Sequence, residues 1–315
     1  MARFARALSV SLSLVFLSAP VAQAAFIDFI NQQPMNSHWG QANAGTTYFW
    51  SDHLAPQAAN DYVMGTPYAT GNLRTPEGSS STFAGNSLTI HSGGSLLLKS
   101  NNNSRVYVVN DLILDGGGVT LGNGNRIFTL DGNITVLSAS SIGTSDTDNR
   151  RLYLDAGIEG SGQLNLRLAA GAWIILGEDN SDFSGTWNIT RTGTGGTQPY
   201  VDAQAAGSLG TGDVIVGAGV MLDIDYDREE LSSNLVLNGL LTLDQALVFG
   251  SVTIGGTLLD PGVYSFTQLN TDFDAYLVNG GTGSITIPVL LVIPEPATLT
   301  LLALGGLGLL RRRKR

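Results

Sequence analysis

The sharpest place for chemistry in this chain is Leu222-Asp223-Ile224-Asp225-Tyr226-Asp227, with Glu229 and Glu230 close behind. On an extended strand, residues i, i+2 and i+4 share one face. Asp223, Asp225 and Asp227 would then form a row of carboxylates about 6.6 Å apart. Such a row has two chemical uses: hard oxygen ligands for Ca²⁺, or carboxylates for acid–base work on a sugar. Ca²⁺ takes about six to eight oxygens, and no Gly-Asp nonapeptide repeat accompanies the row. The pattern favours a solvated strand face with Leu222, Ile224 and Tyr226 turned inward. No metal site is assigned; Asp223, Asp225 and Asp227 are the residues a metal would use. Ser145-Asp-Thr-Asp-Asn149 is a second acidic stretch with the same reading.

Other chemistry is thin. The three histidines, His38, His53 and His91, are scattered, and there is no cysteine for a thiolate nucleophile, a disulfide or a soft metal site. No H-E-x-x-H, G-x-S-x-G or P-loop occurs. His38 beside Trp39 and His53 near Trp50 belong with an aromatic cluster. A sugar-cleaving site would need a base and cations on neighbouring segments. Between the two ends the cations are Lys99 and eight arginines, with no cluster in sequence. Tyr153, Trp173 and Trp187 could stack on sugars, although aromatics at strand positions are more often core. The expectation is a non-enzymatic protein with no cofactor. The alternative is a carbohydrate-binding or carbohydrate-active protein of lyase or hydrolase type.

The elements that carry these residues are short strands. From Ser87 onward the chain keeps a beat: Leu88–Ile90, Leu96–Leu98, Val106–Val109, Leu112–Leu114, Val119–Leu121, Ile127–Leu130 and Ile134–Leu137 begin six to ten residues apart. Between them stand turn formers such as Ser92-Gly-Gly94, Asn101-Asn-Asn103, Asp115-Gly-Gly-Gly118 and Asp131-Gly-Asn133. So many short, evenly spaced strands predict an all-β repeat, either a solenoid or a sandwich. Glycine at nearly every junction favours a β-helix. So do runs such as Leu96-Leu-Leu98 and Leu235-Val-Leu237, which lack strict polar alternation. Residues 25–80 differ: Trp39, Tyr48, Phe49, Trp50, Tyr62 and Tyr68, with Pro56, Pro67 and Pro76, predict an irregular N-terminal cap. The body is expected over 81–288. Toward its end, Phe273 and Tyr276 are placed to cover the last rung. No long amphipathic helix is predicted between the two ends.

Those ends carry targeting signals. Arg3 and Arg6 precede the apolar stretch Ala7–Leu17, and Ala22-Gln23-Ala24 is an A-x-A cleavage site that leaves Ala25 as the new N-terminus. Residues 1–24 are thus expected to be a signal peptide read by the export machinery. At the other end, residues 289–293 form a short linker. Pro294-Glu295-Pro296 then stands before Ala297–Leu310, which carries no charge, and Arg311-Arg312-Arg313-Lys314-Arg315 follows. The apolar run would make a helix of only about 21 Å, against a hydrocarbon core of about 30 Å. The basic flank decides for a membrane segment with a cytoplasmic stop. Setting aside Arg3, Arg6 and the five terminal cations leaves nine of the 16 Lys and Arg against 26 Asp and Glu, a balance near −17. Nucleic acid is excluded as a partner, because phosphate binding needs a basic face.

The tail, residues 294–315, resembles the PEP-CTERM sorting domain of Gram-negative bacteria in all three parts: Pro294-Glu295-Pro296, the Gly/Leu-rich span and the basic end. The resemblance implies recognition and cleavage by an exosortase. It further implies a transient anchor in the inner membrane through the C-terminal helix, a final place at the cell surface or in the matrix, and a link with exopolysaccharide. A second resemblance covers about 158–225. Glu159-Gly-Ser-Gly-Gln-Leu-Asn-Leu166, Asn180-Ser-Asp-Phe-Ser-Gly-Thr-Trp-Asn-Ile189 and Gly207-Ser-Leu-Gly-Thr-Gly-Asp-Val-Ile-Val216 are similar to the autotransporter-associated β-strand repeat, with Ser208 where that pattern often has Ala. It implies a right-handed parallel β-helix of passenger type. The expected architecture is therefore all-β: a right-handed parallel β-helix or solenoid with an N-terminal cap, plus one C-terminal transmembrane helix.

Overall fold

The computed structural model describes residues 24–31, 33, 37–101, 104–122, 127–144 and 150–289. Residues 1–23, the acidic stretch Ser145–Asn149, the sorting motif, the apolar run and the basic end lie outside the described residues. The expected transmembrane helix falls there too. Among the described residues no helix is long and apolar enough to cross a membrane.

The described chain is a parallel β-solenoid of about eight turns. Many turns carry three extended runs, although those through Trp173–Leu176 and Tyr200–Ala203 pass the second side without a strand. The long strand Arg105–Asp115 makes the pattern visible: Ser81–Thr82 pairs with its first half (Ser81 with Tyr107), and Ser87–His91 with its second (Leu88 with Leu112). A third run, Gly118–Leu121, follows the corner Gly116-Gly117 and pairs with Gly94–Leu98 below and Ser140–Thr144 above. The same three-sided path recurs up to Leu240–Thr242, Ala246–Val248 and Ser251–Ile254. The beat of six to ten residues is thus one side of a turn. The repeat itself is the offset between paired residues: 24 at Leu88 and Leu112, 27 at Trp187 and Val214, 17 at Leu235 and Val252. Corner loops of unequal length hide that repeat from the sequence.

Inside, like stacks on like. Along the third side, Leu73, Leu96, Val119, Ile142, Leu166, Ile189, Val216, Leu237 and Ile254 follow one another in register from turn to turn. Every one of them is fully buried. Each buried aliphatic side chain of this kind contributes about 1.5–3 kcal/mol. The triplet Leu96-Leu97-Leu98 corrects one expectation. It alternates after all, with Leu96 and Leu98 buried and Leu97 half-buried on the outside. The stack buries one face of each strand, as in any half-buried sheet.

Two segments read as separate strands are continuous. Val106–Val109 and Leu112–Leu114 form one strand, and so do Ile127–Leu130 and Ile134–Leu137 up to Val136. The chain turns the corner at Gly132 without leaving the sheet, and the register with the strand below shifts there. Gly132 has φ +113°, and a Cβ would run into the carbonyl oxygen of Val109. Asp131-Gly-Asn133 is therefore a bend within a strand, because a glycine can take the corner while its neighbours stay paired.

Both ends of the stack are covered. Parallel stacking already begins with Phe26–Asp28 against Asp61–Met64, inside the stretch read as cap. Around these strands Phe29, Trp39, Phe49, Trp50, Tyr62 and Phe83 are buried together, with Trp50 edge-on to Tyr62 at 4.7 Å. The amide of Trp39 donates to the carbonyl of Arg74, which takes up part of a strand edge. At the far end the chain forms a short helix, Phe266–Phe273. Ser265 caps it, with Gln268 completing a reciprocal capping box. Leu269 and Leu277 take the buried positions over the last rung, and Phe273 and Tyr276 pack half-buried beside them.

Candidate functional site

The acidic row does not form as strand spacing suggested. Met221–Ile224 is the strand, and it ends before Asp225. Leu222 and Ile224 point inward, Asp223 is half-buried on the outer side, and Asp225 and Asp227 are exposed around the corner. Tyr226 is half-buried, and its hydroxyl accepts from the amide of Leu209 at 3.1 Å. The carboxylate of Asp227 accepts from the amide of Ala246 at 2.9 Å. The row runs across turns instead: Asp202 is paired with Asp223, and Thr242 follows in register. Burial first, then Asp225, Asp202 and Asp244, push the Asp223 carboxyl up to about 6. Burial also raises Asp202, whose hydrogen bond from Gln204 works the other way. Among the described residues no group of three or more His, Cys, Asp or Glu side chains is placed to hold a metal ion.

Beside this row stands a ladder that the sequence did not announce. Arg151, Trp173, Tyr200 and Met221 are in register on successive turns. The Arg151 guanidinium lies 3.9 Å from the centre of the Trp173 ring, and Trp173 and Tyr200 have ring centres 4.5 Å apart. Trp173 is thus half-buried between Arg151 and a Tyr200 ring tilted 45° to it. Trp187 is fully buried, with its indole N–H donating to the carbonyl of Leu209. Tyr153 stays half-buried on the outer side.

Two of the cations are buried within the fold. Arg150 is fully buried and donates to the carbonyl of Leu121 one turn below. Arg228 is buried, lies over the Phe249 ring and donates to the carbonyls of Gly210 and Val248. Burial lowers its pKa. His38 lies in the N-terminal cluster, where its Nδ1 accepts from the amide of Gly40 and burial lowers its pKa. His53 stacks on Tyr48 at 4.0 Å. His91 finds a partner on the next turn, with Nδ1 2.9 Å from a carboxylate oxygen of Asp115. The 24 residues between them conceal that pair, because only the turn length brings the two together.

The stretch 158–225 couples neighbouring turns through its motif residues. Asn180, 1% exposed, accepts from the amide of Ile158 on the turn below and donates to the carbonyl of Ser208 on the turn above, each at 2.7 Å. Phe183 packs edge-on against Trp187 at 4.9 Å. A Cβ on Gly185 would strike the carbonyl oxygen of Gly162, and one on Gly212 that of Gly185. The corner can close only without side chains at these places. Ser208 is fully buried, and its hydroxyl has no hydrogen-bond partner.

The tail is identified by comparison with known proteins. Residues 292–315 match the PEP-CTERM protein-sorting motif. The motif marks an exported protein, membrane-anchored before exosortase cuts it. No curated protein and no solved structure matches the chain.

Two outcomes follow for the body. Asn180→Ala leaves a buried amide and a carbonyl unpaired and should lower unfolding free energy by about 2–4 kcal/mol, whereas Ser208→Ala removes an unsatisfied hydroxyl and should raise it by about 1 kcal/mol. Urea denaturation of both variants checks this, and a destabilised Ser208→Ala would contradict the second part. The raised Asp223 carboxyl gives a pH dependence. The folded chain holds this proton up to about pH 6, while the unfolded chain releases it near 3.8. The penalty is absent below the lower value, grows through the interval and is complete above the upper one. Asp223→Asn should therefore be more stable than the parent at pH 7.5 by about 1 kcal/mol, screening by solvent included, and lose that advantage by about pH 4. Thermal melts across this interval measure it; a gap that does not change with pH would contradict the assignment.

Proposed function

We propose that this protein is a non-enzymatic element of the cell surface or extracellular matrix, associated with exopolysaccharide. It is exported through its N-terminal signal, held in the inner membrane by its tail and released when exosortase cuts near Pro294-Glu295-Pro296. The match of residues 292–315 to the sorting motif carries this reading. In it, Pro294, Glu295 and Pro296 are recognition elements, and Arg311–Arg315 hold the end of the tail in the cytoplasm. The body acts as a rigid spacer of autotransporter-passenger type. Parallel crossovers within one sheet are almost always right-handed, which favours that hand here.

Several features support a structural over a chemical role. The Arg151, Trp173 and Tyr200 side chains stack on one another. Arg150 and Arg228 bind backbone carbonyls. Asp223 is in register with Asp202, and among the described residues no ion pair joins either to a cation. A sugar-cleaving site would need a base and a cation converging on one open groove.

Mass spectrometry of protein recovered from the cell exterior tests the proposal at both termini. The expected chain starts at Ala25 and ends near Pro294, without the Arg311–Arg315 run. Glu295→Ala, or deletion of Arg311–Arg315, should leave the protein in the membrane fraction. An intact Arg315 in the extracellular protein, or unchanged distribution of both variants, would overturn it.

A further inference from the structure

Charge is unevenly divided between the faces of the solenoid. The sheet of the first side carries Asp61, Asp111, Asp155, Asp202 and Asp223 among others. The sheet of the third side runs through ten strands, from Gly71–Arg74 to Thr257–Leu258, and those strands contain no aspartate, glutamate, lysine or histidine. Their charged residues are Arg74, Arg167 and Arg191. A strongly acidic body thus keeps the strands of one whole face free of carboxylates.

Arg167 differs from the other two. Arg191 donates to the carbonyl of Gly195, and Arg74 is half-buried. Arg167 is exposed, and among the described residues no hydrogen bond or ion pair engages its guanidinium. It lines a groove of about 390 Å³ together with Gly117, Ser141, Asn165 and Thr190. Register creates this groove. On successive turns the outward residues read Thr120, Gly143, Arg167 and Thr190 in one column, and Gly118, Ser141, Asn165 and Asn188 in the next. At Gly118 and Gly143 a Cβ would strike the carbonyl oxygens of Ser141 and Arg167. The floor there is bare backbone. One wall is held rigid: Oδ1 of Asn165 accepts from Gln163 at 2.6 Å and from Asn188 at 2.7 Å, while its Nδ2 donates to the carbonyl of Ser140 at 2.8 Å.

The lining sets the chemistry of the occupant. It offers a cation without a carboxylate base, which suits binding rather than cleavage. It has no apolar side chain larger than that of Ala139, so it lacks the apolar centre of a protein contact. A single free arginine is too little for nucleic acid or an anionic membrane, which take rows or clusters of cations. A guanidinium fork matches one carboxylate, and serine and threonine hydroxyls match neutral hydroxyls beside it.

We propose that this groove binds an acidic polysaccharide, with Arg167 pairing to a sugar carboxylate and Ser141 and Thr190 bonding to neighbouring sugar hydroxyls. The sugar rests on the exopolysaccharide reading above; the negative charge is read from the face itself.

Isothermal titration of the full chain, purified in a neutral detergent, tests this with two polymers: polygalacturonate, which bears a carboxylate on each sugar, and dextran, which bears none. Polygalacturonate should bind, more weakly as salt rises, and dextran should not. Arg167→Gln should weaken the binding on the order of tenfold, and Arg167→Lys by less. Thr271→Asp, on the exposed face of the C-terminal helix, changes the net charge by the same amount and should leave the affinity as it was. Unchanged affinity in Arg167→Gln overturns the site, and so does an equal loss in Thr271→Asp, which would reveal a general charge effect. Equal binding of dextran overturns the acidic class. Self-association that Arg167→Gln abolishes would show a second copy, presenting its acidic first side, and overturn the proposal too. The wider reading is separable: if Arg167→Gln still co-fractionates with polymer at the cell exterior, the groove is wrong and the exopolysaccharide association stands.

Discussion

Parallel register from turn to turn is the constraint on which this structure depends. Each strand must present its inward residues above those of the turn below. A slip of one residue would turn every leucine outward. The column from Leu73 to Ile254 shows how fully the chain obeys. Nearly every contact joins residues some twenty apart in sequence, so the body is stabilised turn against turn and has no single central core.

A stack of this kind has two weak points, its corners and its ends. Corners bring backbones together and leave carbonyls without strand partners. Glycines at positions 132, 185 and 212 permit the approach, and Asn180, Arg150 and Arg228 reach across to backbone carbonyls of other turns. Phe249 covers the buried Arg228 guanidinium. The ends are closed differently. Large aromatic rings, Trp50, Tyr62 and Phe83 among them, close the start. A capped helix and Leu277 close the finish on the first side.

Away from the third side the outer surface is acidic and solvated. The electrostatic conflict around Asp202 and Asp223 arises because stacking forces outward residues into register as strictly as inward ones. In an in-register parallel stack, two aspartates at equivalent positions must face each other across one strand spacing. The same rule produces the Arg151, Trp173 and Tyr200 ladder, where it is favourable. Repetition thus explains both features without a ligand. The recognition signal that comparison identifies lies at the tail, in residues 292–315.

Much was legible in the sequence alone. Short β-rich runs, glycine at their junctions and an aromatic N-terminal stretch identified an all-β repeat with a cap, because strand and turn preferences are local. The tail was legible for the same reason: Pro294-Glu295-Pro296, the uncharged run and Arg311–Arg315 are contiguous, and their order is the signal. Tertiary structure alone decided what touches what between turns. It set aside the row of Asp223, Asp225 and Asp227 along one strand, because the strand ends at Ile224. It merged runs that Asp131-Gly-Asn133 appeared to divide, and it paired His91 with Asp115. Corner loops and insertions vary the offset between paired residues from 17 to 38, so neighbours across turns have no constant spacing to be read. Only closure of each turn onto the last, driven by burial of the inward columns, determines them.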